Sequence, residues 1–235
     1  MKSLVIIPAF NESENIENVI KDITTNCPET DFIVINDCST DATSSLLEKL
    51  NVAHIDLPVN LGIGGCVQTG YRYAVENDYD IVIQFDGDGQ HDAAYLSRLI
   101  APVASGEADV AVGSRFVEKE GFQSTAMRRF GINFLSGLIK MLAGVKVLDV
   151  TSGMRATDRM MTSVYAQNYA QDYPEPEALL TAGMCGARIC EVPVCMRARA
   201  GGESSISPIK SVYYMIKVTL ALLLTGLFRK KEHNK

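Results

Sequence analysis

No tryptophan occurs in this chain, and only three of its 235 residues are histidine. The six cysteines (Cys27, Cys38, Cys66, Cys185, Cys190 and Cys195) form no C-x-x-C pair, and no histidine stands at zinc-ligand spacing from them. A zinc module and a disulfide framework are therefore disfavoured, and the cysteines read as small buried thiols in a reducing cytosol. A basic excess is missing too: 22 Lys and Arg face 28 Asp and Glu, for a net charge of -6. That argues against nucleic acid as a partner. An anionic substrate must then be held by a few placed cations, by backbone N–H groups or by a metal. Neither G-x-G-x-x-G nor a P-loop is present. The start, Met1-Lys2-Ser3 and then Leu4–Ile7, is too short an apolar run for a secretory signal and ends at Pro8 and Asn11. Internal repeats and low-complexity linkers are absent as well.

What is there, in 47% hydrophobic residues, is enough for a sizeable core. Short continuous apolar runs at Leu4–Ile7, Phe32–Ile35, Ala53–Leu57, Ile81–Phe85 and Val110–Val112 read as parallel strands buried on both faces. Helical patterns separate them. Ile16, Val19, Ile20 and Ile23 share one helix face, with Ser13 or Asn11 as cap. Further helices are expected from about Asp41 to Leu50, Gly65 to Asn77, Ala94 to Ser105 and Met127 to Leu142. Phe116 to Thr125 reads as a loop. Arg188 to Met196 reads as a strand interrupted by Pro193. The alternation implies an α/β fold with a mostly parallel central sheet flanked by helices. One catalytic domain over 1–207 is expected, followed by a tail over 208–235. Val212 to Phe228 is mostly apolar but carries Lys217, and Arg229, Lys230 and Lys231 follow it. The stretch falls short of the ~20 apolar residues of a bilayer span. A helix lying on an anionic membrane surface is preferred over a buried core helix, and both over a span. The same helix could instead pair two copies of the chain.

The strongest chemical feature is Asp86-Gly87-Asp88-Gly89-Gln90-His91, directly after the strand Ile81–Phe85. Ligands gather at the carboxyl ends of such strands. Two carboxylates loosened by Gly87 and Gly89 can approach one hard cation, Mg²⁺ or Mn²⁺, with a diphosphate completing the shell. A polar glycine-rich turn explains the same residues without a ligand. Asn36-Asp37-Cys38-Ser39-Thr40-Asp41 ends the second strand. Asp37 can accept hydrogen bonds from a base or ribose, while Ser39 or Thr40 can cap the next helix. Pro8-Ala9-Phe10-Asn11-Glu12 ends the first strand and leaves main-chain groups for a planar base. In Asn60-Leu61-Gly62-Ile63-Gly64-Gly65 the glycines precede a helix, where they can cradle an anion or simply make a tight turn.

In this order the motifs resemble those of the family 2 inverting glycosyltransferases, within them the group typified by dolichol-phosphate mannosyltransferase and bacterial polyprenyl-phosphate glycosyltransferases. Gly113-Ser114-Arg115, Asp149-Val150-Thr151-Ser152-Gly153-Met154-Arg155 and Arg199-Ala200-Gly201-Gly202-Glu203-Ser204 extend the resemblance from Leu4 to about Ser205. It departs at Phe10, Ile63 and Ser205, where the family often has Tyr, Lys and Lys. The resemblance implies a GT-A-type nucleotide-diphospho-sugar transferase fold. It implies that Pro8, Ala9, Glu12 and Asp37 hold the nucleoside, with Gly64 and Gly87 beside them. Asp86 would lie near ribose and metal, with Asp88 and Gln90 as metal ligands. Arg115 would face the sugar or acceptor phosphate. Arg128 or Arg129, Arg155 and Arg199 would add positive charge around the acceptor phosphate or the leaving diphosphate. Glu177 would lie near the sugar, although a helix-start carboxylate explains it equally well.

Three readings follow. The first is transfer of a hexose from a UDP- or GDP-linked donor to a polyprenyl phosphate, on the cytoplasmic face of a membrane. The second is the same donor chemistry onto a saccharide hydroxyl, with Glu177 or a nearby Asp as base. The third is a non-catalytic nucleotide-sugar-binding subunit. The arginines after the donor half favour the first.

Overall fold

The computed structural model describes residues 1–118, 126–197 and 208–232. A seven-stranded sheet runs through it in the order β3 (His54–Asp56), β2 (Asp31–Asn36), β1 (Ser3–Ala9), β4 (Ile81–Gln84), β6 (Arg155–Asp158), β5 (Val110–Ser114), β7 (Ile189–Pro193). All neighbours are parallel except β6, which runs antiparallel to both β4 and β5. Side chains alternate across the strands, so β1 feeds two cores. Leu4 and Ile6 join the cluster on one face, and Val5 and Ile7 join the cluster on the other. Continuous apolar runs are what such doubly covered strands require.

The helices are α1 (Ile16–Asn26), α2 (Thr43–Leu50), α3 (Gly62–Glu76), α4 (Leu96–Ala104), α5 (Ala126–Ala143), α6 (Arg159–Gln167), α7 (Pro174–Met184) and α8 (Pro208–Glu232). Ile16, Val19, Ile20 and Ile23 are buried together on α1, as their spacing requires. Its expected caps are not used. Asn15 occupies the N-cap without a side-chain capping bond, and the side-chain Oδ1 of Asn11 accepts from the N–H groups of Thr40 and Asp41 instead. Likewise neither Ser39 nor Thr40 caps α2; Asp41 accepts the N–H of Thr43. These polar side chains stitch the β1 and β2 loops to each other, a tertiary task that local spacing does not reveal. The strand expected to continue through Pro193 ends there, on the sheet's edge, where a missing N–H is tolerated. The cysteines are all free, but only Cys27 and Cys66 are buried, and Cys185, just past α7, is exposed.

No helix among the described residues is long and apolar enough to cross a membrane. α8 packs beside α5 and α7 rather than trailing away. Val218 and Leu222 enter the core, and Lys217 is ion-paired with Asp172. The boundary expected at 207/208 lies outside the described residues. α5 and α8 run side by side and parallel, because Gly131 approaches Met215 and Gly226 approaches Leu142.

Leu222→Ala is expected to cost about 2–5 kcal/mol by urea unfolding. Leu220→Ala, on the exposed side of the same helix, should cost less than about 0.5 kcal/mol. Equal, small effects would mean that α8 does not share the core.

Candidate active site

The carboxyl ends of β1, β2 and β4 and the amino end of β6 meet at one edge of the sheet. They do so because β6 enters antiparallel, with Arg155 opposite Gln84 on β4 and Val112 on β5. Reversal of one strand thus brings Ser152, Gly153 and Arg155 to the edge that carries Ala9, Asp37 and Asp86. Asp37 is buried there, and it organises three loops. Its N–H donates to the Ala9 carbonyl at 2.8 Å. Its Oδ1 accepts the Leu61 N–H at 2.7 Å, and its carbonyl accepts from Asn60. Pro8 and Ala9 are buried beside it. Glu12, half-buried, accepts a hydrogen bond from Asn15 Nδ2 at 2.8 Å.

The Asp86–Gln90 loop lies against β1. A Cβ on Gly87 would come within 2.9 Å of the Pro8 carbonyl oxygen, so only glycine allows this approach. The Asp86 carboxylate is wedged between two neighbours. His91 Nε2 lies 3.1 Å from its Oδ2, and a Cβ on Gly153 would stand 2.3 Å from the same oxygen. Burial works to raise the Asp86 pKa. The hydrogen bond and charge of His91, then Gln84 and Arg155, outweigh it and hold the carboxyl below the usual range. Asp88 Oδ1 accepts the Gln90 N–H at 3.0 Å, which folds the loop over. Two carboxylates and an amide carbonyl on one turn are oxygen donors of the kind that Mg²⁺ or Mn²⁺ takes. Among the described residues no group of three or more His, Cys, Asp or Glu makes a complete metal cage. The set would need ligand oxygens to fill a shell.

The arginines divide. Arg115 is buried and held by Asp149 through two guanidinium bonds of 2.7 and 2.6 Å, and by Thr151 at 3.0 Å. Its charge is neutralised inside the protein, so it ties β5 to the 149–151 segment rather than facing a phosphate. Arg155 has no exposed surface at all. Its Nη2 donates to the Ser152 carbonyl at 2.6 Å and its Nη1 to the Glu175 carbonyl at 3.0 Å, while its Nε has no partner. It can act on a ligand only through its field and by holding those two segments. Arg128 reaches solvent. Burial and the charge of Arg115 lower its pKa, against the opposing charges of Tyr214 and Asp149. Arg129 stacks on Phe116 at 3.4 Å. Arg199 lies outside the described residues.

Glu177 and Gly64 do not join the cleft. Glu177 faces α8, where it is hydrogen-bonded to Thr225. It lines a separate cavity of about 320 Å³ with Asn168, Thr181 and Leu224. Gly64 is a packing glycine. Its N–H donates to the Gln171 carbonyl at 3.2 Å, and a Cβ would meet the Ala170 oxygen at 2.0 Å. That N–H is not available to an anion. The Gly62 N–H is likewise bonded to Asn60.

The sequence profile of "Glycosyl transferase family 2" matches residues 4–165. The chain is a family 2 glycosyltransferase. Among its relatives, undecaprenyl-phosphate mannosyltransferase of Micrococcus luteus is 30% identical over 217 residues, covering 88% of each chain. Polyprenol monophosphomannose synthase of Mycolicibacterium smegmatis is 28% identical over 219 residues, covering 88% of this chain and 81% of that one. UDP-N-acetylglucosamine–dolichyl-phosphate N-acetylglucosaminyltransferase of Methanococcus voltae is 30% identical over 210 residues, covering 81% and 83%. Glucosyl-3-phosphoglycerate synthase of Mycobacterium tuberculosis, solved with Mn²⁺, UDP and glucosyl-3-phosphoglycerate, superposes with a TM-score of 0.71. It is 22% identical, over 96% of this chain and 79% of that one. That likeness establishes the GT-A fold.

Two residues of this glycosyltransferase escaped sequence reasoning. His91 stands five positions after Asp86, and nothing in that spacing says that its ring turns back to the carboxylate. Glu175 sits two residues before Glu177 in Tyr173-Pro174-Glu175-Pro176-Glu177. On a helix, residues two apart point about 200° apart. With Glu177 turned to Thr225 of α8, Glu175 lies on another side of the helix, its backbone carbonyl bound by Arg155. Burial raises its pKa to about 7, Arg155 opposes the rise, and Asp86 adds to it.

The metal-free glycosyltransferase should therefore lose stability as the pH rises from about 4.5 to about 7. Across that window the native state keeps a proton on Glu175 that the unfolded chain has released. Each pH unit should cost about 1.4 kcal/mol. Glu175→Gln should remove that part of the slope in chemical denaturation measured in a chelator. A slope unchanged by the substitution would place the carboxyl in ordinary solvent. Gly153→Ala must displace Asp86 and should lower turnover by ~100-fold, the scale of a 1 Å misplacement. Steady-state kinetics beside a thermal melt would check it.

Proposed function

We propose that the chain transfers a hexose from a UDP- or GDP-linked donor to a polyprenyl phosphate, with inversion, at the cytoplasmic surface of a membrane. One observation carries this reading. The Asp86–Gln90 loop shares its sheet edge with the start of β6, and α5, whose Arg128 senses the charges of Arg115 and Asp149 there, carries an uncovered apolar row. Met127 is 83% and Phe130 is 76% exposed, with Phe134 and Met141 on the same helix; Tyr213, Ile216, Leu220, Leu224 and Leu227 are exposed on α8. Exposed apolar surface of this extent marks an interaction site. The basic run Arg229-Lys230-Lys231 suits anionic headgroups. The relatives that carry polyprenyl-phosphate or dolichyl-phosphate names lend the same support.

In this reading Pro8, Ala9, Glu12 and Asp37 hold the nucleoside, and Gly87 lets the loop close on it. Asp86, Asp88 and the Gln90 side-chain carbonyl would hold Mg²⁺ or Mn²⁺, which would offset the negative charge that grows on the leaving diphosphate. His91 fixes the Asp86 carboxylate, and the buried Arg155 adds positive field from below. Arg128, with Arg199, attracts the acceptor phosphate. A phosphate monoester, with a second pKa of about 6, is already largely ionised near neutral pH and needs no general base. Attack from the face opposite the diphosphate inverts the anomeric carbon. The hydroxyl-acceptor reading loses Glu177 as its base, because that side chain points to α8.

Purified protein with Mn²⁺, a panel of nucleotide sugars and a short polyprenyl phosphate should release nucleoside diphosphate from one donor only, and only with the lipid present. Asp88→Asn should lower that release by at least ~100-fold, the scale of losing one charge-stabilising group. Release indifferent to the lipid would move the acceptor to a hydroxyl compound. Phe130→Glu combined with Leu220→Glu should abolish sedimentation with anionic vesicles without lowering the melting temperature. Retained sedimentation would sink the membrane part of the reading.

A further inference from the structure

Gln84 is an amide in the middle of the sheet. It ends β4, which lies between β1 and β6, and it has no exposed surface. Its strand neighbours Ile81, Val82, Ile83 and Phe85 are the apolar residues that a doubly covered strand calls for. A buried amide destabilises the fold unless its polar atoms find partners. Gln84 shares a face of the sheet with Val82, which belongs to the same core cluster as Tyr71, Tyr165 and Tyr169. Tyr169, buried between α6 and α7, donates its O–H to Gln84 Oε1 at 3.1 Å. Its ring stands 5.5 Å from Tyr71 and 5.3 Å from Tyr165, which fixes where the hydroxyl lies. At the other end of the amide, Gln84 Nε2 donates to Asp86 Oδ1 at 3.5 Å.

The neighbours decide which way the amide points. An ionised carboxylate only accepts, so the amide can offer Asp86 nothing but its NH₂ group. The amide oxygen is then turned away and requires a donor, and Tyr169 is that donor. His91 Nε2 lies 3.1 Å from Oδ2 of the same carboxylate. Each oxygen of Asp86 therefore faces one nitrogen and keeps a second lone pair for a ligand. We propose that Gln84 and Tyr169 are positioning residues for the donor's metal. Tyr169 orients the Gln84 amide, and the amide sets the rotation of the Asp86 carboxylate, so that its remaining lone pairs meet Mg²⁺ or Mn²⁺. The proposal rests on the metal reading above. Neither residue would touch the ion itself. Outer groups that hold a ligating carboxylate change metal affinity by about 10–100-fold.

The test is a Mn²⁺ titration of the full chain, alone and with UDP or GDP, against a blank of the nucleotide without protein. Free Mn²⁺ is read from its electron paramagnetic resonance signal, and a melt on each variant verifies folding. Gln84→Met replaces the amide by a flexible apolar side chain of similar length. Tyr169→Phe removes one hydroxyl. Gln84→Met is expected to weaken Mn²⁺ binding by about tenfold or more. Tyr169→Phe should weaken it less. Added to Gln84→Met, it should change the affinity by less than about twofold, because one residue acts through the other. Parental Mn²⁺ affinity in both single variants would overturn the proposal. Losses that add in the double variant would overturn it too and leave Tyr169 a packing residue. If Gln84→Met does not fold, Tyr169→Phe decides alone, and parental affinity in it sinks the proposal. A parent that bound no Mn²⁺ would instead remove the metal reading, and this proposal with it.

Discussion

A guanidinium with no exposed surface lies under the cleft, and much of the local architecture follows from keeping it there. A buried charge must be surrounded by acceptors or opposite charge, or its desolvation destabilises the fold by several kcal/mol. Arg155 meets that demand with the carbonyls of Ser152 and Glu175. Burial alone would lower its pKa, but Tyr169, Glu175, Tyr165 and Tyr71 together hold it above the ordinary value. Those tyrosine rings stand 5.3–5.5 Å apart around it. The two carbonyls belong to the turn before β6 and to the first turn of α7. The charge therefore fixes the entry of the one antiparallel strand and the placement of the helix beyond it.

From that constraint the donor side is assembled. The turn before β6 presses the Gly153 backbone against Asp86, and His91 closes on the carboxylate from the other direction. The Asp86 carboxylate is thus held in one orientation by packing, and a group held so would lose little entropy on binding a cation. Asp149 treats Arg115 in the same manner, turning a cation at the end of β5 into an internal tie. The interior arginines are structural in contact and electrostatic in effect.

α5 and α8 show how one element can serve stability and association together. Val218 and Leu222 bury one side of α8, while Leu220, Leu224 and Leu227 leave another side apolar and uncovered. A helix apolar nearly all round is normally either buried or in contact with something beyond the chain. The tail expected to lie on a membrane surface rather than in the core does bury Val218 and Leu222, which makes one side of it a core helix.

The sequence by itself determined the strands of the first half, the helices between them and the placing of Asp37 and Asp86 at strand ends. Continuous apolar runs and i, i+3, i+4 spacing are local signals, and burial on both faces of a sheet enforces them. It also determined the family, because ordered short motifs need no coordinates to be read. The tertiary structure alone decided which polar residues face the cleft. Arg115 and Arg155 look like phosphate ligands in one dimension and prove to be buried, since burial depends on which strands become neighbours. Gly64 looks like an anion cradle and proves to be a contact with Ala170, a residue far along the chain. Of two carboxylates two positions apart on α7, the helix turns Glu177 to α8 and Glu175 to another side. No local rule could choose between them, because the choice was made by the rotation at which α7 packs on its neighbours.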